Sequence, residues 1–167
     1  MASMKLTGKG RRRLLGGHPW IYRDDIAVGT AQAGDLVQVL APAGDSLGWA
    51  LYSDASRIAL RLVTRGEQQP TREFWQQRVQ RAVDARARVG MLEPDGACRL
   101  LAGDSEGLPG MVVDRYGKVI VLQLGTQAAD RMGEFLVELV RAALPFELDA
   151  VVNGSDTAVR KLENLPK

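Results

Sequence analysis

The stretch KGRRRLLGGHPWIY joins four cations, Lys9, Arg11, Arg12 and Arg13, to His18, Trp20 and Tyr22 within fourteen residues. Ammonium and guanidinium groups neutralise phosphates and release their counterions, while indole and phenol rings stack on unpaired bases, so this combination suits nucleic acid. A second reading places HPWIY in a core strand and leaves only the cations displayed; for Trp20 a mixture weighted towards burial fits best. The cations are concentrated, since Lys5, Lys9, Arg11, Arg12, Arg13 and Arg23 all precede the first acid, Asp24. His18 is the one histidine, so any Ser/His/Asp or Cys/His mechanism must use it. Between Gly17 and Pro19 it reads first as part of a shaped turn, then as an RNA contact, and last as a catalyst.

Other residue groups offer weaker chemistry. Asp104, Glu106 and Asp114 could serve acid/base work or a hard metal, yet no histidine lies near them in sequence, and Asp114 reads as a hydrogen-bonding group beside a hairpin. GDSEGLPG carries Gly103, Gly107 and Gly110 but lacks the lysine and hydroxyl of a phosphate loop and the spacing of a dinucleotide turn. It reads as a turn. Cys98, the one cysteine, excludes an internal disulfide and a thiolate-cluster zinc site, and its apolar surroundings point to a buried, inert thiol. No metal site is expected.

The elements that must position these groups fall into two stretches. DLVQVLAPAGDSLGWALYS reads as a hairpin, and SRIALRLVTR alternates as a strand with one buried face. GEQQPT marks a boundary. Residues 71–92 then form a helix with Thr71 as N-cap, Trp75, Val79, Ala82 and Val83 inward, and Arg72, Arg78, Arg81, Arg86 and Arg88 on a solvated or RNA-facing side. GMVVDRY and KVIVLQL flank a turn at Gly117, a hairpin with β-branched residues on its buried side. Residues 128–144 have helical spacing closed by Pro145, and DAVVNGS reads as one more strand without a further β partner.

The 167 residues fit one ordinary domain or two small ones, and 46% hydrophobic with 25% charged residues is the composition of a packed globular protein. A net charge of +2 argues for no polyanion partner by itself, so cation placement must carry that argument. No apolar run approaches the length needed to span a bilayer. The lone thiol fits a reducing compartment, and a cytoplasmic location is expected.

Taken together and in order, KGRRRLLGGHPWIYRDDI, RLLAGDSEGLPGMVVDRYGKVIVLQL and SDTAVRKLEN resemble the amino-terminal half of the S-adenosylmethionine-dependent methyltransferases of the ribosomal RNA large-subunit cytosine-5 family. The resemblance implies an α+β chain: a PUA-type RNA-binding β-barrel at 4–68, then a small central α/β domain of strands around a helix at 72–167, truncated at its C-terminal end. It implies that the Rossmann-like methyltransferase domain, with the methyl-donor site and the cysteine nucleophile, is absent. Cys98 does not correspond to that nucleophile, so no catalytic residue and no cofactor is assigned to this chain, and it is expected to be inactive alone. Lys9, Arg11, Arg12, Arg13, His18 and Trp20 match the opening motif and are the expected RNA contacts. Arg115 and Arg160 match later motifs and could face RNA or the missing domain. Ribosomal RNA is the implied partner, with no membrane association. The alternatives are a complete small enzyme that assembles Asp104, Glu106, Asp114 and His18, or a protein-interaction scaffold that self-associates, as a homodimer, through an exposed strand edge.

Overall fold

A computed structural model describes residues 2–166. Strand β1 (Ser3–Leu6) leads into α1 (Gly8–Leu15), β2 (Trp20–Tyr22), a 3-10 turn (Arg23–Asp25), β3 (Ile26–Thr30), β4 (Leu36–Leu40), β5 (Ser46–Tyr52) and β6 (Ile58–Arg65). The strands form a curled half-barrel sheet in the order β2-β6-β5-β4-β1-β3, with β1 and β4 parallel and the remaining neighbours antiparallel. The expected hairpin is β4–β5. Alternation in these strands turns Val37, Val39, Ala50 and Leu60 inward, where Met4, Leu6, Leu14 and Ile21 complete a core.

The chain continues through α2 (Arg72–Arg88), β7 (Ala97–Ala102), a second 3-10 turn (Gly103–Glu106), β8 (Met111–Tyr116), β9 (Val119–Leu124), α3 (Gln127–Arg131), α4 (Gly133–Ala143), β10 (Ala150–Asn153) and α5 (Val159–Leu162). The second sheet runs β10-β9-β8-β7. This is the expected α+β class, a barrel-like sheet followed by a smaller sheet with helices. Thr71 caps α2 by accepting from the Phe74 N–H, and Trp75, Val79, Ala82 and Val83 form its buried stripe. Among the described residues no helix is long and apolar enough to cross a membrane.

Several local expectations need correction. The helix expected over 71–92 stops at Arg88, because Gly90 turns into the left-handed region at φ +73. The segment 128–144 is two helices, α3 and α4, separated at Met132. In the β8–β9 hairpin Val113 and Ile120 face the core, but Val112, Val119 and Val121 lie on the outer face, and Arg115 takes an inward position. Strand β10 does have a partner, pairing parallel to β9 from Ala150 opposite Val119 to Asn153 opposite Leu122. The free edge of β7 is also closed: Arg86 Nε donates to Arg99 O at 3.0 Å, Glu106 accepts from the Ala102 N–H at 2.6 Å, and the two side chains pair with each other. A register irregularity between Arg99 and Leu101 further spoils this edge as a pairing template.

The two sheets are joined by more than the connecting segment. Leu51 and Val63, from β5 and β6, sit in the larger core with Trp75, Leu101, Met111 and Leu136. Around this shared core Arg61 pairs with buried Glu163 at 2.9 Å, Gln127 Nε2 donates to Asp54 at 2.7 Å, and Arg131 donates to Ala33 O at 2.7 Å and Asp35 at 2.9 Å. Removing one partner of the Arg61–Glu163 pair would leave the other charge buried and uncompensated, a cost of roughly 3–5 kcal/mol.

Candidate nucleic-acid interface

Helix α1 exists because its first turn is capped and one narrow face is packed. Thr7 Oγ1 accepts from the Gly10 N–H at 3.1 Å, and Gly10 and Leu14, one turn apart, are its buried residues. A side chain at Gly10 would place its Cβ 2.6 Å from Asp25 O, so only glycine lets the helix lie against the Arg23–Asp25 turn. Lys9, Arg11 and Arg12 are thereby turned outward and exposed.

Arg13 behaves differently from its neighbours. It folds back to pair with Asp25, which is 1% exposed, and its guanidinium lies 4.7 Å from the centre of the Tyr22 ring. Asp25 Oδ2 also accepts from the Tyr22 N–H at 3.3 Å, while its Oδ1 has no partner among the described residues. Lys9, Arg13, Tyr22, Asp24, Asp25 and Arg57 border a depression of about 150 Å³. Tyr22 reads from the sequence as a ring that could stack on a base, whereas Asp25 and Arg57 are missing from the expected contacts. Alternation in HPWIY and SRIALRLVTR was the available signal, because adjacent antiparallel strands bring Tyr22 opposite Ile58, next to Arg57.

His18 stands in the turn its neighbours imply. Its Nδ1 accepts from the Trp20 N–H at 3.1 Å, and its ring meets Trp20 edge to face at 5.8 Å and Tyr22 at 6.2 Å. Trp20 is half-buried, and its indole N–H donates to Asp104 at 3.3 Å, which ties β2 to the turn after β7. The expected contacts thus divide into exposed Lys9, Arg11 and Arg12, and partly covered Arg13, His18 and Trp20.

Arg115 and Arg160 need correction as RNA-facing residues. Arg115 is 0% exposed and donates to Gly117 O at 2.7 Å, Met91 O at 2.9 Å and Glu93 O at 3.0 Å. Arg160 is 5% exposed and donates to Leu124 O and Pro166 O at 2.7 Å and to Asp130 at 2.8 Å. Both guanidiniums hold backbone together, and neither reaches the surface.

The acid/base groups do not act as one site either. Asp104 accepts from Trp20, Glu106 pairs with Arg86, Asp114 holds Arg99 through two bonds at 2.9 and 3.0 Å, and His18 is held by Trp20. The Asp114 carboxylate raises the Arg99 pKa above its ordinary value. Among the described residues no group of three or more His, Cys, Asp or Glu could hold a metal. Cys98 is half-buried rather than enclosed. In the glycine-rich turn Gly107, at φ +68, lies where any side chain would overlap the Arg78 guanidinium, which bonds its carbonyl oxygen.

Residues 4–65 match the PUA-like domain family. Over nearly its whole length the chain is similar to proteins named ribosomal RNA large subunit methyltransferase I: 35% identical over 97% of this chain in Shewanella denitrificans, 34% over 96% in Klebsiella pneumoniae and 32% over 99% in Escherichia coli. It spans about two-fifths of the length of these relatives, 41%, 40% and 42% respectively. Among solved structures, a candidate SAM-dependent methyltransferase from Streptococcus mutans shares the fold at a TM-score of 0.75 and 19% identity, covering 90% of this chain and 40% of that one. A candidate methyltransferase complexed with SAH, SMU.776, matches at a TM-score of 0.77 and 18% identity, over 91% of this chain and 40% of that one.

Proposed function

We propose, from the premise that this chain is kin to the amino-terminal portion of the ribosomal RNA large subunit methyltransferase I proteins, that it binds and positions ribosomal RNA for a methyltransferase acting on carbon 5 of a cytosine. Residues 4–68 are the RNA-binding unit and residues 72–167 the central unit, with Lys167 outside the described residues. The methyl donor, S-adenosylmethionine, is bound elsewhere in the longer protein, and this chain transfers no methyl group alone. Its work belongs in the cytoplasm.

The observation that carries this reading is the outer face of α1. Lys9, Arg11 and Arg12 stand exposed within the PUA-like segment, held there by Gly10 and Leu14, with His18, Trp20 and Tyr22 beside them. Phosphates meet the cations, and the half-covered rings offer edges and faces to an unpaired base.

Fluorescence anisotropy with large-subunit ribosomal RNA fragments across a salt series tests it. Lys9→Ala/Arg11→Ala/Arg12→Ala should weaken binding and reduce the log–log salt slope by about 2, at about 0.7 for each single-strand phosphate no longer neutralised. Equal slopes for the two proteins would remove α1 as the RNA surface. S-adenosylmethionine should leave the melting temperature unchanged, since a ligand stabilises only a protein that binds it.

A further inference from the structure

Helix α2 carries a second basic site. Arg78, Arg81 and Arg86 border a cavity of about 380 Å³ together with Ser105 and Gly107 of the turn after β7. Arg86 is neutralised by Glu106. Arg78 has no carboxylate: it donates to Val63 O at 2.7 Å and to Gly107 O, and lies 4.3 Å from the centre of the Phe74 ring. Arg81 is exposed and makes no hydrogen bond or ion pair among the described residues. Three guanidiniums therefore face one carboxylate, and two positive charges stand uncompensated. Burial first, and the like charge of Arg81 second, hold the Arg78 pKa below its ordinary value, a repulsion that an anion would relieve.

The position of this cavity identifies its ligand. Ser105 and Glu106 belong to the same short turn as Asp104, which holds the Trp20 indole, so the cavity lies just beyond the ring that ends the α1 basic motif. Its lining includes Ala82 and Ala85 and no aromatic ring on which a base could stack, whereas the guanidiniums of Arg78 and Arg81 suit phosphate oxygens.

We propose that Arg81, supported by Arg78, seats a backbone phosphodiester of single-stranded RNA that has passed from α1 across Trp20, so that the RNA track runs over both sheets. This rests on the RNA-binding reading and extends it to the central unit.

The test compares short and long single-stranded fragments of large-subunit ribosomal RNA on the wild-type chain, Arg81→Ala, Arg81→Glu and Arg88→Ala. Arg88 is an exposed arginine of α2 that does not border the cavity, and it controls for general loss of charge. With long RNA, Arg81→Ala should lower the salt slope by about 0.7, and Arg81→Glu should weaken binding about tenfold or more, while Arg88→Ala and every short-RNA measurement stay at wild type. Long RNA binding that depends on α1 but ignores Arg81, or that responds equally to Arg81 and Arg88, overturns the subsite alone. No RNA binding at either length overturns this proposal and the α1 reading together. Stabilisation by inorganic phosphate that Arg81→Ala abolishes, without any effect on RNA, makes it a free-anion site and also overturns the proposal.

Discussion

At the scale of single residues, the arginines of this chain divide by what their neighbours leave unsatisfied. Arg115 is enclosed with its guanidinium donating to the carbonyl oxygens of Met91, Glu93 and Gly117; the Glu93 oxygen also accepts from the Gly96 N–H, whereas the other two rely on the arginine, and its ring partner Phe146 lies 5.5 Å away. Arg115→Met keeps much of the volume but takes the donor from the Met91 and Gly117 oxygens. At roughly 1–3 kcal/mol for each buried unsatisfied group, a loss of about 2 kcal/mol is expected in urea unfolding. RNA affinity measured on the folded fraction should not change, whereas a surface RNA contact would show the reverse. The sequence marks Arg115 as a cation and alternation even places it on the inward side of β8, yet the acceptors come from residues 91–93 and 117, and no local pattern announces them. Arg11 and Arg12 were legible as exposed because nothing apolar alternates with them.

Elements were legible in proportion to their apolar repeat. Helix α2 has a full inward stripe and a threonine cap, and only its end was misplaced. Helix α1 has just Gly10 and Leu14 facing inward, so its hydrophobic signal is faint and Thr7 was the cue that remained. The closure of β7 was hidden for another reason: it depends on Arg86 reaching from α2 and Glu106 curling back from the following turn. Arg86→Ala/Glu106→Ala should expose the Arg99 carbonyl and the Ala102 N–H along an otherwise pairable strand. The expected result is concentration-dependent association in light scattering, with the wild-type chain unchanged over the same range. A variant that behaves as the wild type would show that the irregular register alone protects this edge.

Across the whole molecule, the coupling between the sheets has a built-in acid sensitivity. Asp35 has a pKa held below the ordinary aspartate range, first by the Gln32 N–H and then by Arg131, which reaches it from α3. A carboxylate depressed in the folded state contributes stability above its unfolded value, and that contribution is lost as pH falls through the folded value. The stability gap between the wild-type chain and Asp35→Asn should therefore narrow from about pH 5 to about pH 3, read as urea midpoints, because aspartate titrates near 4 when unfolded. A gap that stays constant would place the Asp35 contribution elsewhere than in its charge.

The polar segment at 66–71 was legible as a break in the pattern, but the contacts that cross it were not, since Arg61 and Glu163 lie 102 positions apart. Those contacts bear on inheritance. With Leu51 and Val63 seated among the residues of the second core, a gene recombined at the segment would join a β6 from one ancestor to an α5 from another. Such a chimaera inherits half of each matched pair, Arg61 without its own Glu163 and Asp54 without its own Gln127. Substitutions at these positions should therefore have been tolerated only in concert, and the two halves should have descended together.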